Sequence, residues 1–153
     1  MKKEFTELVT WSDRFSCGIK LIDDQHRGLV ALVNDMFNHV AGNEIQESEY
    51  MNNIIRRAVK YVKIHFAAEE KIMLAAKVPD YSRHKKAHSR FIITLVDYIY
   101  KYKTGKRINL FAFTKFLKEW ILSHIALMDK QCFSQIKIIP SEKQRRLAIQ
   151  KQL

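Results

Sequence analysis

The stretch DDQHRGLVALVNDMFNHV, residues 23–40, decides the fold. His26, Leu29, Val33, Met36 and Val40 recur at alternating steps of three and four, the spacing that lines side chains along one face of an α-helix. Gly42-Asn43 ends the run. Three further stretches repeat the pattern. From about Ser48 to Lys77, the residues Ile55, Ala58, Val62, His65, Glu69, Ile72 and Ala76 form a stripe, closed by Val78-Pro79-Asp80 because proline cannot continue the hydrogen-bond ladder. Tyr81 to Tyr102 carries His84, His88, Phe91, Leu95, Tyr98 and Tyr102; Asn109 to about Phe133 carries Phe113, Leu117, Trp120, His124 and Leu127. Short connections at 42–47, 78–80 and 103–108 make consecutive helices antiparallel neighbours. The expected fold is all-α, an up-down-up-down four-helix bundle.

Outside these helices, residues 1–20 hold Trp11, Phe15 and Cys17-Gly18 without sustained period and read as an irregular N-terminal arm. Beyond Pro140, Ser141 is placed as the N-cap of a short basic helix. The expected organisation is one bundle domain over 1–134 and a basic extension over 135–153.

Composition agrees with this plan. A chain of 153 residues is long enough to bury a core, and 4 Gly with 2 Pro are too few turn formers for an all-β fold. No apolar run approaches the ~20 residues of a membrane span, and no apolar stretch follows Met1-Lys2-Lys3, so a cytoplasmic protein is expected. Cys17 and Cys132 lack CxxC spacing and read as buried reduced thiols. The net charge of +11 is concentrated late, with 12 Lys/Arg against 3 acids in residues 101–153. Such a region is a solvated face or a weak dock for an acidic protein partner or an anionic surface. On a helix from Ser141 its charges spread over more than one face, so membrane insertion is not expected; no specific nucleic-acid partner is expected.

The chemistry lies where histidine interrupts the apolar stripes. His26, His65, His84, His88 and His124 all take core positions, at least one per helix. A buried imidazole needs partners for both nitrogens, and apolar stripes offer few; a metal centre resolves the shortage. Glu69 follows His65 by four residues and His88 follows His84 by four, so each pair shares a helical face and can reach one site. An ionised carboxylate in such a core is costly unless neutralised. Asp129 lies five residues after His124, about 140° round an ideal helix, and spacing alone does not place it. Glu70 points about 100° from Glu69 and reads as solvated or surface-paired, His39 as a boundary histidine, and Met73 and Met128 as core fillers.

Four segments carry a resemblance: CGIKLIDDQH (17–26), HFAAEE (65–70), HKKAH (84–88) and WILSHIALMD (120–129). They are similar to the signatures of hemerythrins, in the bacterial single-domain form, from Trp11 to about Phe133. The resemblance implies two non-haem iron ions joined by an oxo or hydroxo bridge, with O2 as ligand. It implies His84, His88 and His124 on a coordinatively closed iron, His26 and His65 on one with an open position, and Glu69 and Asp129 bridging the two. Trp120, Ile121 and Ile125 would cover the open position. Softness and affinity alone would allow Zn, Co or Mn; only the resemblance points to iron. Ala87, where many members have an acid, and Val78-Pro79, in place of a common Tyr-Pro, depart from the pattern without touching a ligand.

Five neutral imidazoles and two carboxylates are less anionic than the four carboxylates and two histidines of ferritin-like oxidases. That set suits reversible O2 binding, for storage or for delivery to oxygen-consuming enzymes, rather than catalysis. An oxygen or redox sensor acting through a partner, and peroxide or nitric oxide handling, are the alternatives. The i+5 position of Asp129 predicts a local widening or tightening of the fourth helix near Ala126 to Met128, a π-type bulge being one form of it.

Overall fold

A computed structural model of the chain describes residues 6–41 and 48–136. The expected stop at Gly42-Asn43, residues 1–5 and the basic extension from 137 onward, with its Ser141 cap, lie outside the described residues. Helix α1 is Lys20–Ala41. Helix α2 (48–75) joins Ser48–Tyr61 and Ala67–Ala75 through a π-helical turn, Val62–Phe66. Helix α3 is Tyr81–Lys103. Helix α4 (110–136) joins Leu110–Trp120 and Lys130–Ile136 through a longer π-helical segment, Ile121–Asp129. Helix α1 packs on α2 and α4, giving the four-helix bundle that the periodicity predicts.

Local chemistry sets the helix ends. The Asn109 side chain accepts from the Ala112 amide and caps α4, leaving the helix to begin one residue later than the pattern suggests. Past α2, Lys77 takes a left-handed conformation (φ 54°), and Val78 N–H closes back onto the Met73 carbonyl before Pro79. The arm is tied to α1 by two asparagines: Asn34 exchanges two hydrogen bonds of 2.9 Å with the Val9 backbone, and Asn38 exchanges two, of 3.0 and 2.7 Å, with the Thr6 backbone. Asp23 accepts from Ser16 Oγ (2.6 Å) and Cys17 N–H (2.8 Å), fixing the approach to α1.

The π-helical segments change which residues face inward. In α2 the buried line is Met51, Ile54, Ala58, Tyr61, His65, Glu69 and Met73, while the expected Ile55, Val62, Ile72 and Ala76 are only partly buried. In α4 the expected core residue Leu127 is 67% exposed, and Asp129 is fully buried instead. A segment hydrogen-bonded i to i+5 advances less per residue round the axis than an α-helix, so residues five apart share a face.

Two apolar clusters fill the bundle. The larger contains Leu29, Val33, Phe66, Phe91, Phe113, Leu117 and Trp120. The smaller contains Cys17, Ile22, Met73, Val78, Cys132 and Phe133. Both cysteines are free, and burial pushes the Cys17 thiol up to about 12. Among the described residues no helix is long and apolar enough to cross a membrane. Along each helix the polar core positions fall between the two clusters.

Candidate metal centre

Each helix contributes to one buried polar layer. Helix α1 supplies His26, α2 His65 and Glu69, α3 His84 and His88, and α4 His124 and Asp129; none is more than 3% exposed. The i, i+4 spacings act as expected in α2 and α3. In α4 it is the π-helical segment that turns His124 and Asp129 to the same side. That widening covers all of Ile121–Asp129, beyond the three residues predicted, and the second one at Val62–Phe66 had no signal in the spacing of His65 and Glu69.

Both carboxylates divide their oxygens. Glu69 Oε1 faces Nε2 of His65 (3.2 Å) and His26 (3.6 Å), while Oε2 faces Nε2 of His88 (3.0 Å) and His84 (3.6 Å). Asp129 Oδ2 faces His26 (3.1 Å), and Oδ1 faces His84 and His124 (3.0 Å each). Two sets of four converging ligand atoms result: His26, His65, Glu69 and Asp129 in one, and Glu69, His84, His88 and His124 in the other.

The donor set fits a pair of cations. Nε2 of His26, His65 and His88 and all four carboxylate oxygens are buried, and although they lie within 3.6 Å of neighbours, none reaches hydrogen-bonding geometry. Lone pairs that converge on shared points without hydrogens between them are arranged for metal ions. Protons supply the positive charge otherwise. Burial opposes charging His26 and His84, but Asp129, with Glu69, outweighs it and lifts them to about 9 and about 11. Burial wins at His124, which is lowered. Against burial, and at Asp129 also against its like-charged partner Glu69, the histidines hold both carboxyls well below the usual range.

Outer contacts orient the rings. Nδ1 of His65 donates to Gln25 Oε1 (2.9 Å), and Nδ1 of His88 donates to Glu70 Oε1 (3.1 Å), leaving each Nε2 lone pair free. Glu70 also pairs with Lys85 (3.3 Å), so the residue read as solvated or surface-paired holds a ring of the centre in place. Nothing in the spacing of Glu70 reveals this, because His88 lies on another helix. Met73 is fully buried, Met128 is half-buried beside His84 and Cys132, and His39 stacks on Tyr50 at 3.6 Å.

Aromatic rings wall the layer. Phe66 stacks on His88 (3.8 Å), Trp120 on His124 (3.7 Å) and Tyr61 on His65 (4.5 Å), with Phe91 4.5 Å from Trp120. Ile121 and Ile125 are fully buried in the same apolar cluster. Trp120 thus lies against His124 of the three-histidine set while its indole N–H comes close to the hydroxyl of Tyr61, which stacks on His65. Tyr61 was absent from the sequence reading; the four-residue step to His65 was its available signal. Burial, then the nearby Glu69 and Asp129, keep its phenol protonated.

Known proteins share this arrangement of helices. Residues 17–136 match the family described as the Hemerythrin HHE cation binding domain. The chain is 32% identical over 130 residues to bacteriohemerythrin of Stenotrophomonas maltophilia, covering 85% of this chain and 82% of that protein. It is 30% identical over 126 residues to myohemerythrin of Theromyzon tessulatum, covering 82% and 92%. A crystal structure of wild-type hemerythrin superposes with a TM-score of 0.72 at 28% identity, covering 83% of this chain and 98% of that one.

Proposed function

The chain belongs to the hemerythrin family, and on that premise we propose that it binds O2 reversibly at a pair of non-haem iron ions held by His26, His65, Glu69, His84, His88, His124 and Asp129. The observation that carries the reading is the division of Glu69 and Asp129, each of which turns one oxygen toward either histidine set. When bound, the two ferrous ions supply the electrons that hold O2. Everything else falls to the chain. With Asp129 Oδ1 turned to His84 and His124, five donors face the three-histidine side and four face the side of His26 and His65, leaving room there for an outside ligand. Five neutral imidazoles keep the shell weakly anionic, and Trp120, Ile121 and Ile125 exclude water and outside proton donors. Among the described residues, Glu70 is committed to His88 and Lys85 and the Tyr61 phenol stays protonated, so neither stands free as an acid or base for turnover, and the reading is a binding protein rather than an enzyme.

The test is to reconstitute the protein with ferrous iron and cycle it between nitrogen and air. Two irons per chain and a visible band that appears and disappears over repeated cycles are expected; a single irreversible bleaching would overturn the reading. Storage or delivery of oxygen follows from reversibility, and the two free buried thiols favour a cytoplasmic setting. The extension beyond Ile136, rich in Lys and Arg, is proposed to dock weakly to an acidic protein or an anionic surface. Truncation there should leave oxygen affinity unchanged.

A further inference from the structure

Tyr61 carries a polar group that the centre as described does not use. Its hydroxyl is buried and makes no hydrogen bond, although a buried tyrosine hydroxyl ordinarily finds a partner. The indole nitrogen of Trp120 is buried and unpartnered in the same way. The indole N–H is close enough to act as a donor toward the Tyr61 oxygen, and the other rings beside Tyr61, Phe66 (5.8 Å) and Phe91 (6.5 Å), offer no acceptor for the hydroxyl proton. The indole thus has the Tyr61 oxygen within reach, and it is the hydroxyl proton of Tyr61 that lacks an acceptor.

Position says what the acceptor is. Tyr61 lies one helical turn before His65 and stacks on its ring, so it stands beside the set with two histidines rather than three. It also lines a cleft of about 370 Å³ between α1 and α2, together with His65, Gln25, Gly28 and Leu29. Gly28 leaves the cleft wide, since a Cβ there would meet nothing within 4 Å. The ring of Tyr61 thus stands between the cleft and the polar layer.

We propose that the Tyr61 hydroxyl, assisted by the Trp120 indole N–H, donates a hydrogen bond to the small exogenous ligand that occupies the open position beside His26 and His65. The inference rests on the metal-centre reading above. The ligand class is small, with a lone pair on the atom farthest from the metal: O2 itself, or an anion such as azide. Without such a ligand the hydroxyl proton stays unsatisfied; with it, the hydroxyl, oriented by the indole, holds the ligand's outer atom.

The experiment uses the full chain loaded with iron, oxidised, with azide as probe, and compares Tyr61→Phe with the parent. Phenylalanine keeps the ring on His65 and removes only the hydroxyl. Expected are two irons per chain in both proteins, an azide Kd roughly tenfold weaker in the variant, by the value of a hydrogen bond to a charged acceptor, and loss of the D2O-sensitive shift of the azide stretching band. The metal-free variant should melt at the same temperature or higher, because it no longer buries an unpaired hydroxyl. If the variant holds two irons and binds azide as the parent does, the donor role is wrong and the centre stands. If the metal-free variant melts well below the parent, the hydroxyl is structural and the proposal is overturned. A parent that does not hold two irons would sink the centre, and the proposal with it.

Discussion

Replacing Asp129 by alanine probes the polar layer without any metal. Its carboxylate is fully buried and lies 3.0–3.1 Å from His26, His84 and His124. Removing one partner of a buried charged network ordinarily costs about 3–5 kcal/mol, because the charges left behind are neither solvated nor paired. The loss should be about 3 kcal/mol here, since Glu69 still faces His26 and His84 at 3.6 Å. The pH dependence follows from the shifts. His26 and His84 are raised to about 9 and about 11. Their contribution is therefore complete below the unfolded histidine value, ~6.5, and is lost as pH rises through the folded values, at up to ~1.4 kcal/mol per pH unit for each group. Asp129 is shifted the other way, so its contribution is present above its unfolded value, ~3.9, and lost as pH falls below it. The cost of the substitution should be greatest between about pH 5 and 6.5 and should shrink toward pH 10. Urea unfolding of the metal-free parent and variant across that range measures it. A cost below about 0.5 kcal/mol at pH 6, typical of a surface site, or one that grows toward pH 10, would refute the account of the layer as a coupled charge network.

Three further outcomes are expected. His88→Ala removes a nitrogen from the three-histidine set and leaves Glu70 without its ring partner, so metal analysis should show one iron per chain or fewer. Ile125→Ala, in the core, should cost about 2–5 kcal/mol in chemical denaturation, whereas Leu127→Ser, two residues away and 67% exposed, should change stability by less than about 0.5 kcal/mol; equal costs would mean that the π-helical register of α4 is wrong. Trp120→Ala should keep both irons and shorten the life of the oxygenated form by admitting water, and an unchanged lifetime in timed spectra would remove the shielding role.

Much of this was legible in the sequence because it depends on residues close in the chain. Apolar positions at steps of three and four place His26, His84 and His88 inward where the helix keeps its 3.6-residue turn, His65 keeps its four-residue step to Glu69 across a widened turn, and Val78-Pro79 marks a helix end by local backbone preference. The four-helix bundle and five converging histidines follow from that rule alone, and the resemblance added Asp129 and the identity of the metal. The tertiary structure decided what the rule cannot reach. Where the backbone widens, at Val62–Phe66 and Ile121–Asp129, a spacing computed for an α-helix puts Leu127 inside and Asp129 aside, the reverse of what the bundle holds. Contacts between helices, such as Glu70 with His88, Gln25 with His65 and Tyr61 facing Trp120, depend on how each helix is rotated and set against its neighbour. That rotation is fixed by the packing of the two apolar clusters above and below the polar layer, a property of all four helices together that no single stretch of sequence contains.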